Sequence, residues 1–161
     1  METKIKLPRE FWHFISAKLF YTLGFRMVST IVIYQVFHLS STFMVGMAGL
    51  TEFLPAVFTA LYAGHIIDSY DKKKILKGSY FLYFLCAVTL GIASNSYFGL
   101  QNHTIILVIL ATVFCTGIIR SFASPSANAM IAAIVPRHQL QKAITFNSSS
   151  YLASSIAGHA T

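Results

Sequence analysis

The stretch Gly64-His65-Ile66-Ile67-Asp68-Ser69-Tyr70-Asp71-Lys72-Lys73-Lys74 decides how this chain folds. It is a short charged link between two long apolar runs. The run before it, roughly Phe43 to Ile67, carries one charge, Glu52; the run after it, roughly Ile75 to Phe98, carries only Lys77 at its edge. Each run is long enough to cross the ~30 Å hydrocarbon layer of a bilayer as a helix. A tight link bearing three consecutive lysines between two such runs predicts a helical hairpin with its turn in the cytoplasm.

The rest of the chain can be read outward from that hairpin. Of 161 residues, 55% are hydrophobic and 11% charged, where a soluble domain has about 25% charged. Mean hydropathy is +0.64. The composition predicts an all-α, multi-pass membrane protein. The net charge of +7 does not indicate a nucleic-acid binder, because the basic residues sit in short clusters between apolar runs and form no continuous stripe. Cys86 and Cys115 fall inside apolar runs and read as two buried, inert thiols. The N-terminal apolar run is too long for a cleaved signal and reads as a retained first helix.

The expected organisation is a polar tail over residues 1–10, then a transmembrane region over 11–161 with helices at about 11–37, 43–67, 75–98, 104–135 and 143–161. The fifth, of 19 residues, is incomplete. Pro55 and Pro125 predict kinks in the second and fourth. Lys4, Lys6, Arg9, Lys72, Lys73, Lys74, Lys77, Arg137 and Lys142 fall on one side of the membrane, while the opposite turns, 38–42 and 94–103, hold no Lys or Arg. That asymmetry predicts a cytoplasmic N-terminus in the plasma (inner) membrane. Ala60/Gly64, Ala123/Ala127, Ala129/Ala133 and Ala153/Ala157 have the four-residue spacing that lets membrane helices approach closely.

Four charges lie within spans: Lys18, Arg26, Glu52 and Arg120. Lys18 is near enough to the cytoplasmic end of its helix to snorkel to the headgroups. Arg26, 11 residues before the end of the first span, and Glu52, nine residues into the second, fall at similar depth on antiparallel neighbours. They are expected to pair and to face a water-filled cavity, or else to be solvated separately or only to hold two helices together, since an isolated charge at the bilayer centre costs at least about 2.5 kcal/mol. Arg120 has no evident acidic partner in this sequence; water, a substrate anion or a residue missing from this chain is the expected one, with a structural role against backbone carbonyls as the alternative. Asp68 is placed to cap a helix start or to pair with a neighbouring cation, and Gly64 to permit close helix approach. His13, His38, His65 and His103 sit near span ends, as interfacial residues do. No catalytic, metal-ligand or phosphate-loop pattern is present, and no cofactor is expected.

Together these residues resemble a family. Gly64-x-x-x-Asp68-x-x-Asp71-Lys72-Lys73-Lys74 resembles the loop 2–3 signature of the major facilitator superfamily, with Ser69 and Asp71 where the common pattern has a basic residue and glycine. Asp71 ahead of three cations is similar to the branch containing siderophore and macrolide exporters. Leu23-Gly24-Phe25-Arg26-Met27 resembles that branch's first helix, and Gly49-Leu50-Thr51-Glu52-Phe53-Leu54-Pro55-Ala56 its second. Arg120-Ser121-Phe122-Ala123-Ser124-Pro125-Ser126, with Val135-Pro136-Arg137, resembles its fourth helix and the link beyond. The similarity runs along nearly the whole chain. One departure is Gly158-His159, where many members carry Gly-Pro in the fifth helix.

The resemblance implies a secondary transporter, a proton-coupled efflux carrier for a drug, macrolide or siderophore. Its partners would be the lipid bilayer, a small-molecule substrate and protons, with no nucleic acid. It implies Asp68 in a cytoplasmic latch, Arg120 lining the cavity near the coupling or substrate site, and Glu52 as a proton carrier. The family fold has about twelve helices in two halves, so these four helices and part of a fifth are expected to be an N-terminal fragment that does not transport alone. The alternative is a self-contained four-helix protein, either a dimeric carrier or a non-transporting adaptor. A fifth run that stops at the edge of a span argues against it.

Overall fold

The computed structural model describes residues 8–94 and 101–160, with the side chains of residues 159 and 160 excepted. It is all-α among these residues. Helix α1 spans Arg9–Leu39, α2 Thr42–Ser69, α3 Lys72–Ala93, α4 Asn102–Ile134 and α5 Leu140–Ala160, with a 3₁₀ turn at Arg137–Gln139 before α5. Lys4, Lys6 and most of the turn expected at 94–103 lie outside the described residues. At about 1.5 Å per residue, the 31 residues of α1 and the 33 of α4 exceed a ~30 Å hydrocarbon layer.

Four helices, α1 to α4, are long and apolar enough to cross a membrane. Their large side chains point outward: Leu61 is 85% exposed, Phe43 75% and Phe58 72%. Such a surface suits lipid and would be a liability in water. What is buried is often small, such as Ala48, Ala63, Ala93, Ala123 and Ala127. Helices in lipid gain little from burying large apolar groups and associate through close backbone packing instead. Helix α5 is not among the four apolar spans. Its Asn147 and Ser148–Ser150 lower its hydropathy, so the fifth segment is a more polar helix than a simple apolar run.

The lysine stretch is more helical than expected. The link between α2 and α3 is only Tyr70 and Asp71; Gly64 and Asp68 belong to the end of α2, and Lys72, Lys73 and Lys74 open α3. Asp68 therefore does not begin a helix. Asp71 is the cap, its Oδ1 accepting from the Lys73 backbone N–H at 3.0 Å. Three cations in a first turn oppose the positive end of the helix dipole, and the Asp71 carboxylate offsets them. Asp71→Ala is expected to cost about 1 kcal/mol of local stability. Amide hydrogen exchange at Lys73–Ile75 should speed up accordingly.

Pro55 and Pro125 both lie inside helices that continue through them. No side chain or backbone atom lies within 4 Å of a Cβ placed on Gly64, so the close approach expected there is not found among the described residues. Of the four small-residue pairs, only Ala123/Ala127 is buried at both positions.

The chain forms two compact units: the residues up to Thr30 with those from Ala127 onward, and Ile31–Ser126. In the first, Phe11 and Ile15 of α1 pack with Ile131, Val135 and Ala143. Trp12 meets Phe146 edge-on at 4.9 Å between ring centroids. In the second, Ser94 at the end of α3 donates to Gln35 Oε1 near the end of α1 at 3.0 Å. Both cysteines are free; Cys86 is half-buried and Cys115 exposed, so Cys115 does not sit in a protein core as expected.

Candidate functional site between α2 and α4

Within the Ile31–Ser126 unit, α4 comes against the α2 backbone at Gly117. A Cβ there would run into the Glu52 carbonyl oxygen and lie 3.0 Å from Pro55 Cγ. Only glycine allows this approach, and the approach fixes which face of α4 meets α2. Arg120, Ser121, Ser124 and Pro125 recur three, four, seven and eight residues after Gly117 and so share its face. On α2, Gly49, Glu52, Ala56, Ala60 and Gly64 form the facing row.

The Arg120 guanidinium donates to Glu52 Oε1 at 3.1 Å near the middle of both helices. The Arg120 side chain is 51% exposed and that of Glu52 28%, so the pair is neither sealed away nor fully solvated. Two turns beyond Glu52 on α2, Thr59 Oγ1 lies 2.8 Å from Oγ of Ser121, the neighbour of Arg120, and Ser121 donates onward to the Ile118 carbonyl at 2.7 Å. These contacts tie the two helices. An open groove of about 660 Å³ runs past Glu52, Arg120, Ser121 and Ser124, with Phe53 and Val57 along its apolar wall. Its volume is in the range of small-molecule sites, and its polar groups are few and convergent.

This geometry corrects the expected charge pairing. Glu52 pairs with Arg120, which supplies the acidic partner that Arg120 lacks in the sequence pattern. Arg26 instead donates to the Tyr151 hydroxyl at 2.6 Å and stacks its guanidinium 5.6 Å from the Tyr151 ring. Depth along the helix puts Arg26 and Glu52 at one level, but pairing also depends on which way each helix face turns. The Lys18 Nζ donates to Asn147 Oδ1 of α5 at 2.8 Å. Pro55 is buried behind Glu52, while Pro125 lines the groove. The spacing of small residues does not mark Gly117 and Gly158 as packing positions. A glycine three residues before an intramembrane arginine is the signal that points to the first.

A helical chain with four apolar spans and an ion pair held at mid-helix beside an open groove has the build of a polytopic membrane transporter. The chain belongs to the transmembrane secretion effector family of major facilitator-type transporters, whose family model matches residues 9–161. That match takes in α5 as well as the four apolar spans. It names a transporter family and not an enzyme family. No curated protein and no solved structure matches the chain.

Proposed function

We propose that this protein takes part in proton-coupled export of a small molecule across the plasma (inner) membrane, with its N-terminus in the cytoplasm. The observation that carries this reading is the Glu52–Arg120 pair on the wall of the α2–α4 groove. The attraction between the two side chains depends on both carrying their charges. In this reading Glu52 is the proton carrier, and the weaker pull of its neutral form on Arg120 couples proton uptake to what the groove binds. The asymmetry of basic residues supports the orientation. In this reading Gly64, Asp68 and Asp71, with Lys72, Lys73 and Lys74, lie at the inner surface, where Asp68 would serve as a latch residue.

In this reading the five helices supply part of one half of a twelve-helix carrier. The remaining helices would complete the substrate path. Macrolides, siderophores and other drugs are the candidate solutes, from the branch its motifs resemble.

The test is accumulation of a macrolide, a ferric siderophore and a cationic dye in cells with and without the intact gene. Lower accumulation of at least one compound, abolished by a protonophore, is the expected result. Equal accumulation of all three would count against export; lowered accumulation that persists with the protonophore would count against proton coupling. Reporter fusions after Lys74 should be active only in the cytoplasm.

A further inference from the structure

The Glu52–Arg120 pair leaves two intramembrane cations unexplained. Lys18 and Arg26 lie on one face of α1 with Thr22 between them, at spacings of four residues. Asn147, Tyr151 and Ser154 form the matching face of α5. The helices press together here: a Cβ on Gly158 would lie 2.6 Å from Arg26 Cβ and 3.0 Å from the Leu23 carbonyl oxygen. Lys18 and Arg26 are both half-buried. Their hydrogen-bond partners across this seam, Asn147 and Tyr151, are neutral.

No carboxylate balances these charges among the described residues of this unit. Its acidic residues are Glu2, outside the described residues, and Glu10, which is exposed and two turns away from Lys18 on α1. The seam also has more donors than acceptors. Arg26 carries five N–H groups, and its buried Nε has no hydrogen-bond partner among the described residues. Tyr151 accepts from Arg26, so its own O–H proton remains to be given elsewhere. Beside Lys18 is a space of about 10 Å³, the size of one water, lined by Ile15 and Leu19 together with Thr22, Ser150, Tyr151 and Ser154. Tyr151 is 39% exposed, so the guanidinium–phenol end of the seam is open on one side.

We propose that this end of the α1–α5 seam binds an oxyanion, its carboxylate or phosphate oxygens held by the Arg26 guanidinium and the Tyr151 hydroxyl. Lys18 supports the site with a second positive charge, through the water-sized space. The anion supplies the negative charge that the unit lacks. A planar guanidinium with free donors suits two-point binding of such oxygens. The site deepens the export reading, on which its physiological role rests, by giving the transported solute an anionic group. The same oxygens could come instead from a phospholipid headgroup.

The experiment uses the intact protein in nanodiscs of phosphatidylcholine. Trp12, the one tryptophan of these 161 residues, packs on Phe146 of α5 and reports on this unit by its fluorescence once any tryptophan elsewhere in the intact protein is replaced by phenylalanine. Sodium butyrate and sodium phosphate are titrated separately against sodium chloride at equal ionic strength. A saturable change with butyrate or phosphate and none with chloride is expected. Arg26→Gln should weaken it by about ten- to a hundredfold, as loss of hydrogen bonds to a charged group does. Arg26→Lys and Tyr151→Phe, which keep the charge or the ring, should give intermediate losses and serve if Arg26→Gln does not fold. A change seen only when phosphatidylglycerol is added to the discs, and lost in the same variants, places a lipid headgroup in the site. No change under any condition, an equal change with chloride, or wild-type behaviour of the variants overturns the proposal. Binding without export would leave the site standing and remove the export reading; export without binding would do the reverse.

Discussion

Glu52→Gln is expected to reduce export by at least about tenfold, because it removes the carboxylate that Arg120 contacts. A hydrogen bond to a charged group contributes about 1.5–3 kcal/mol, and partial exposure of both side chains puts this pair at the low end. About 1.4 kcal/mol corresponds to a factor of ten. Arg120→Gln should be as damaging. The informative variant is the neutral double, Glu52→Gln with Arg120→Gln. If the pair only joined two helices, the double variant would regain transport, since two amides can replace the contact without an unpaired charge. If it couples protons to the groove, the double variant folds but stays inactive. Transport in proteoliposomes, set beside thermal unfolding of the same preparations, separates the two.

Gly117→Ala should have the largest effect on stability. In an open helix, glycine to alanine is favourable by up to about 1 kcal/mol. Here the added methyl meets the backbone of α2 at the Glu52 carbonyl, which cannot swing aside as a side chain tip can. Overpacking of this kind typically costs about 1–3 kcal/mol, so the intrinsic gain is outweighed. The helices must separate, and Arg120 then loses its register with Glu52. The control is Gly91→Ala, since nothing lies within 4 Å of a Cβ there. Thermal midpoints in detergent should fall for Gly117→Ala and hold or rise for Gly91→Ala. Equal midpoints would show that α2 and α4 do not rely on this contact.

The membrane class of the fold is legible in the sequence because hydropathy and span length are properties of a single helix read along its axis. Contacts between helices are less so. A helix in lipid is apolar around most of its circumference, so the pattern barely marks which face packs. Depth alone therefore matches Arg26 to Glu52, whereas the faces of the helices join Glu52 to Arg120 and Arg26 to Tyr151. The Gly117 contact is hidden for a related reason. Small residues are common in membrane helices, and four-residue spacing selects pairs such as Ala60/Gly64, whose glycine touches nothing nearby. The helix cap differs by three residues between sequence and structure. Asp68 and Asp71 are both plausible caps until the length of the link is known, and a two-residue link leaves only Asp71 in position.

The three lysines that open α3 also bear on how the hairpin survives once inserted. If those residues lie on the inner face, as proposed, an inside-negative membrane voltage of 100 mV opposes outward passage of each charge by about 2.3 kcal/mol. For Lys72, Lys73 and Lys74 together that is about 7 kcal/mol, before any dehydration of the ammonium groups. In that orientation an energised cell would lock the α2–α3 pair against inversion, and a cell whose voltage has collapsed would lose that lock.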